Sequence, residues 1–181
     1  CVDGTPGLVL RLLYGTGMRM LECLRLRVED VNFLKGEIVI REGKGFKDRV
    51  TMLPEAVVPA LKAHLLKVKS LHDEDLALGL GEVYLPFALD KKYPNAARDW
   101  GWQYVFPSKN LSVDPRSDKT RRHHLDEKGV QRAVKQAVRD AGLVFVGPNP
   151  EAMDRLGGKK AAREEAIASG VPVIPGIEQD P

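Results

Sequence analysis

Two glycines that flank a threonine, with apolar helical text on both sides, constrain this chain more than any other feature. In Leu12–Arg27, LLYGTGMRMLECLRLR, the apolar run Leu8, Val9, Leu10, Leu12 and Leu13 meets Gly15-Thr16-Gly17, and a second apolar segment starts at Met18. The pattern predicts one helix that opens at Thr5-Pro6, with Thr as cap and Pro in first position. A second follows over about Met18–Leu26. Arg19 then falls in the first turn of that second helix, where a cation opposes the helix dipole. Something must compensate it, either an anion or a carboxylate. Glu22, three residues on, shares its helical face and is the available partner. Taken alone, Arg19 reads equally as a solvated surface residue.

The next informative stretch is EIVIREGKGFKDRVTMLP, Glu37–Pro54. Ile38, Val39 and Ile40 read as one strand and Val50, Met52 and Leu53 as its partner, joined by a Gly-punctuated turn, Gly43–Asp48. The tip carries Lys44 and Lys47 and its flanks carry Arg41 and Arg49. Such a cluster suits a phosphate. Solubilising lysines on a turn would look the same.

Pro54 opens a long amphipathic helix to about Leu78, with Val57, Val58, Leu61, Leu65, Leu66, Val68 and Leu71 on its apolar side. His64 and His72 lie on it without metal-ligand spacing and read as surface positions. Tyr84–Phe106 holds Trp100 and Trp102, both tryptophans of the chain. It reads either as a compact subcore or as a platform on which unpaired bases stack. A Pro/Ser/Asp-rich loop, Ser108–Thr120, leads to Arg121-Arg122-His123-His124, a candidate phosphate or base contact. Asp126 then caps a basic helix, Glu127–Ala141, which Gly142 ends.

Composition excludes some classes. No apolar run reaches membrane-spanning length, so no membrane partner is expected. The two cysteines, Cys1 and Cys23, form no disulfide framework and no metal site. Their use fits a reducing cytoplasm. The charge is +3 in all, but the stretch from Val144 on carries four basic against six acidic residues, leaving −2 there and +5 on the rest. A basic body favours a polyanionic partner.

GTGMR followed by Glu22, the VEDVNF turn and the GKG-K-R hairpin together resemble the catalytic domain of the tyrosine recombinases, the phage-integrase type. LPFALDKKYPNAARDWGWQYVFPS and DPRSDKTRRHHLDEKGVQRAVKQA narrow the resemblance, over Leu8–Leu143, to the integron integrases. The resemblance implies an α+β fold: a mainly helical recombinase core with a small antiparallel hairpin. It implies DNA as partner, both duplex and folded single-stranded sites, with tetramers on DNA, a bacterial, nucleoid-associated location and no cofactor or metal. Arg19 matches the family's first catalytic arginine and Lys44 its hairpin lysine. The resemblance implies that Trp100 or Trp102 stacks on a base, and Lys47, Arg49 and Arg121, Arg122, His123 and His124 remain the candidate DNA contacts read from the residues. The family's His-x-x-Arg box and tyrosine nucleophile have no match. Tyr14, Tyr84, Tyr93 and Tyr104 all stand earlier in the chain and out of context. The expectation is a truncated catalytic domain over 1–143, unable to cleave DNA alone.

Val144–Gly176 alternates strand, helix, helix and strand, the pattern of an α/β segment. It resembles a piece of biotin carboxylase and related ATP-grasp carboxylases. Lys159 matches a lysine that contacts nucleotide phosphates there, although Gly158 stands where those enzymes have an acidic residue. The chain is thus expected to be a chimera, with a foreign tail over 144–181.

Overall fold

The computed structural model describes residues 2–41, 48–85, 89–93, 95–115 and 117–142, and three isolated positions, Glu164, Ile167 and Gly170. The chain forms two compact units, Cys1–Ala137 and Val138–Pro181. The strands and helices expected after Val144 lie outside the described residues.

The first unit is mixed helix and antiparallel sheet. α1 (Gly4–Thr16) and the short α2 (Met20–Leu24) precede a three-stranded sheet of β1 (Val31–Asn32), β2 (Glu37–Ile40) and β3 (Arg49–Met52), in the order β1-β2-β3. The hairpin register pairs Ile38 with Thr51 and Ile40 with Arg49. This puts Ile38 and Ile40 on the buried face, with Val50 and Met52 facing out. A 3₁₀ turn, Glu55–Val57, leads into α3 (Val58–Ala77), and α4 (Leu89–Lys92) follows. Then come a two-stranded ladder, β4 (Ser112–Val113) with β5 (Thr120–Arg121), and α5 (Glu127–Asp140).

Several boundaries differ from the sequence expectation. α1 starts at Gly4 with Asp3 at its cap, so Pro6 sits inside the first turn, where a missing N–H costs nothing. α2 stops at Leu24 because the chain after it is needed as strand. Val105 N–H donates to the Leu26 carbonyl (2.9 Å), Val28 N–H donates to the Gln103 carbonyl (3.0 Å), and Arg27 pairs with Tyr104. The loop expected at Ser108–Thr120 contains the β4–β5 ladder. α5 begins as read, with the Asp126 carboxylate accepting the Lys128 N–H (2.9 Å), and Gly142 beyond it is left-handed.

The main core joins Leu8, Val9 and Leu12 of α1, Cys23 and Leu24 of α2, Ile38 and Ile40 of β2, Leu61 and Leu65 of α3, then Val105, Phe106 and Val130. Burial in this apolar setting pushes the Cys23 thiol up to about 12. Leu66 does not join; it is 74% exposed. A second cluster of Val83, Leu85, Ala96, Ala97 and Tyr104 supports Trp102. Among the described residues no helix is long and apolar enough to cross a membrane.

Two α3 histidines correct the surface assignment. His72 is buried and donates through Nε2 to the Arg98 carbonyl (3.0 Å). His64 is half-buried, donates to the Val105 carbonyl (2.8 Å) and lies 5.1 Å from the Phe106 ring. Backbone carbonyls in the aromatic stretch need donors, and α3 supplies them with imidazoles.

Arg27 has the same structural role. Buried between α2 and the sheet, it donates to the carbonyls of Trp102 (2.9 Å) and Tyr84 (2.9 Å) and to the Tyr104 hydroxyl (3.0 Å), stacked 3.7 Å over the Tyr104 ring. Arg27→Ala removes three hydrogen bonds, one to the buried Tyr104 hydroxyl and two to part-buried carbonyls, and should cost about 3–5 kcal/mol, read as a lower urea midpoint. Arg27→Lys should recover only part, since one ammonium cannot span the three.

Burial holds His64, His72 and His124 below the ordinary imidazole range. For a base with a depressed folded pKa, protons bind the unfolded chain first. Stability is therefore complete above the unfolded pKa of about 6.5 and declines as pH falls through it. Urea midpoints should drop between pH 7.5 and 5.5, and His64→Gln with His72→Gln should flatten the slope.

Candidate functional site

The Gly15-Thr16-Gly17 turn places Arg19. Gly17 is left-handed (φ 66°) and its N–H closes α1 onto the Leu13 carbonyl (3.0 Å). The Thr16 hydroxyl donates to the Leu12 carbonyl (2.6 Å) and accepts the Met18 N–H (3.3 Å). A Cβ on Gly15 would meet Pro54 Cγ at 2.4 Å, so only glycine lets the turn lie against the end of the hairpin. The Thr51 hydroxyl donates to the Thr16 carbonyl (3.4 Å), tying the turn to β3.

Arg19 follows with extended backbone, just ahead of α2. Glu22 compensates it as the spacing implies. Its carboxylate accepts the Arg19 N–H (2.9 Å) and the Arg19 Nη1 (2.9 Å). Arg49, at the base of the hairpin, grips the same carboxylate through Nη1 (3.0 Å) and Nη2 (2.7 Å). The Glu22 side chain is 9% exposed, against 58% for Arg19 and 40% for Arg49. The Arg49 hydrogen bonds, helped by Arg19 and opposed by burial, hold the Glu22 carboxyl at about 2. The result is a fixed triad of one carboxylate and two guanidiniums with net charge +1. Lys44 and Lys47 lie outside the described residues, as does Lys159.

The other expected contacts gather elsewhere. Arg121 is buried and donates from Nη1 to Asp114 (2.8 Å), also buried. Arg122 forks onto Asp75 of α3 through Nε (2.6 Å) and Nη2 (2.7 Å), and Nη1 donates to the carbonyls of Ser108 (2.9 Å) and Lys109 (2.6 Å). Both guanidiniums are thus turned into the protein, which places them as internal braces and not as open phosphate contacts. His123 and His124 are half-buried. His124 Nδ1 donates to the Leu125 carbonyl (2.9 Å), and its ring meets Tyr104 edge-on at 5.5 Å.

Trp100 and Trp102 are each half-buried. Trp100 packs on the main core, 5.9 Å from the His72 ring, with the Lys69 ammonium 5.8 Å from its centre. Trp102 packs on the second cluster, and the Arg41 guanidinium lies 5.3 Å from its ring. Both rings combine the core role and partial exposure. Arg41 itself is engaged by Asp30 (2.6 Å) and Glu29 (2.8 Å). Among the described residues no group of three or more histidine, cysteine, aspartate or glutamate side chains could hold a metal.

Arg27 and Arg49 carry structural assignments that the sequence does not betray. Arg27 sits between Leu26 and Val28 with nothing to mark it as buried. The Arg49–Glu22 bridge spans 27 residues, beyond any local pattern.

The chain is similar to known proteins over most of its length. The phage integrase family model matches residues 5–153. An integrase/recombinase of Escherichia coli is 47% identical over 142 residues, which is 78% of this chain and 42% of that protein. Tyrosine recombinase XerA of Pyrococcus furiosus is 45% identical over 58 residues, 32% of this chain and 20% of that protein. Human mitochondrial pyruvate carboxylase is 54% identical over 43 residues, 24% of this chain and 4% of that protein. A crystal structure of XerA recombinase aligns with 94% of this chain and 59% of its own, at 19% identity and a TM-score of 0.44. The chain spans less than half the length of the E. coli relative. The match over residues 5–153 covers most of the first unit's turn, hairpin and arginine cluster, and by it the chain belongs to the phage integrase family, that of the tyrosine recombinases.

Proposed function

We propose that this chain carries part of the DNA-binding and catalytic surface of a site-specific recombinase of the integron type. The observation that carries the reading is the exposed Arg19 guanidinium, held in place by Glu22 in a triad of net positive charge. In such an enzyme a tyrosine hydroxyl attacks a phosphodiester, and positive groups fixed beforehand stabilise the charge that develops on phosphorus oxygens. In this reading Arg19 takes that task and Lys44 is the acid that protonates the departing 5′-oxygen.

In the same reading none of the four tyrosines present, Tyr14, Tyr84, Tyr93 and Tyr104, takes the nucleophile's role. Tyr104 is buried with its hydroxyl accepting from Arg27, which removes it as a nucleophile. Tyr14 is 96% exposed on α1, outside the motif that the family places around its nucleophile. Tetramers on DNA and a bacterial, nucleoid-associated setting belong to the same proposal.

A second reading has a specific observation behind it. Trp100 and Trp102 are partly exposed and each lies near a cation. Bases stack on such rings without sequence preference, so folded single strands are the preferred substrate here. His123 and His124 flank the same subcore. The stretch from Val144 on is read as a foreign, carboxylase-derived segment. The similarity to pyruvate carboxylase supports this. ATP protection of Lys159 would be the mark of a retained nucleotide site.

Binding to a folded single-stranded hairpin and to its duplex counterpart, titrated with salt, tests the proposal. The hairpin should bind more tightly, affinity should fall steeply with salt, and Arg19→Ala should reduce the log–log slope by about 1. No binding to either DNA at low salt would overturn it.

A further inference from the structure

We propose that Arg49 is a positioning residue for Arg19: its two-pronged hold on Glu22 orients the Arg19 guanidinium and couples the base of the hairpin to the start of α2. The inference rests on the reading of Arg19 as a phosphate ligand. It removes Arg49 from the DNA contacts expected from the sequence.

Three observations converge. First, the Glu22 carboxylate accepts four hydrogen bonds, two from Arg19 and two from Arg49, and a carboxylate has about four lone-pair sites. It is saturated, so its position is fixed by both arginines together.

Second, the two guanidiniums are used differently. Arg49 commits both of its Nη atoms to Glu22, the geometry that makes an arginine fork a rigid bracket. Arg19 commits Nη1 alone and is the more exposed of the two. Arg19 has more of its N–H donors uncommitted for an incoming anion than Arg49, whose two Nη atoms each give one N–H to Glu22.

Third, charge counting gives Arg49 a task. Arg19 and Glu22 alone form a neutral pair with little attraction for phosphate. Arg49 restores the net +1 through its hold on the same carboxylate. Its backbone pairs with Ile40 at the base of the hairpin that carries Lys44, five residues earlier in sequence. The bridge therefore ties the hairpin to the arginine it must work beside. The Thr51–Thr16 hydrogen bond runs parallel to it.

The test uses the full 181-residue chain with Arg49→Lys, Arg49→Gln, Arg19→Ala and the double variants. The Glu22 carboxyl is titrated by ¹³C NMR without DNA, and hairpin affinity is measured across salt. A lysine keeps the charge but cannot bracket both oxygens. The expected result is that Glu22 titrates about one unit or more higher in both Arg49 variants. Hairpin affinity should fall about tenfold with Arg49→Lys, and this loss should vanish in the Arg19→Ala background, because Arg49 acts through Arg19. An unmoved Glu22 titration overturns the proposal. So do losses that add in the double variant, which would make Arg49 an independent phosphate ligand. If the wild type binds no DNA, the proposed function fails instead, and the Glu22 titration alone decides the role of Arg49.

Discussion

After the 3₁₀ turn at Trp100–Trp102 the chain from Gln103 to Phe106 is buried, and the backbone polar groups from Trp102 on are satisfied by other parts of the fold. Arg27 reaches the Trp102 carbonyl, Val28 N–H the Gln103 carbonyl, His64 the Val105 carbonyl and Leu125 N–H the Phe106 carbonyl. Val105 N–H goes to Leu26. A buried backbone group without a partner costs about 1–3 kcal/mol, so these donors are a condition for placing Val105 and Phe106 in the core. α3, the chain after α2 and the approach to α5 are all held to this segment through those bonds.

That constraint explains how arginine is divided in this protein. Arg27, Arg121 and Arg122 satisfy carbonyls and buried carboxylates inside the fold. A buried guanidinium must spend its charge on neighbours, since removing either partner strands the other. Arg121 illustrates the tension: its Nε is buried without a partner among the described residues. Arg19 alone of these residues combines fixed orientation with open donors. The basic character of the first 143 residues therefore overstates what is available to a polyanion.

Glu22 links the two regimes. It is nearly as buried as the bracing carboxylates, yet the cations it collects remain partly in solvent. A charge-assisted cluster at such a boundary is stiff without being sealed. A phosphate-binding surface has to meet the same two requirements, orientation in advance and access for the ligand. The Gly15-Thr16-Gly17 turn contributes by letting the backbone approach Pro54, which brings the start of α2 beside β3.

Local pattern was enough for much of this. The hairpin strands, α3, the basic helix with Asp126 at its cap, the break at Gly15-Thr16-Gly17 and the Arg19–Glu22 pair all follow from alternation, helical spacing and side chains within four residues of each other. The family is legible in the same residues, because its motif is a turn and a hairpin. What the sequence left open involves partners far apart in the chain. Nothing in RRHH tells that Arg121 and Arg122 turn inward, because Asp114 and Asp75 lie 7 and 47 residues away. His64 and His72 read as surface until the carbonyls of Val105 and Arg98 are brought to them. The sequence by itself determined which segments could be helix, strand or turn, since those depend on short-range sterics and hydrogen bonds. Only the tertiary structure decided which cations face water, since burial depends on which distant carbonyls and carboxylates the packing leaves in need of a donor.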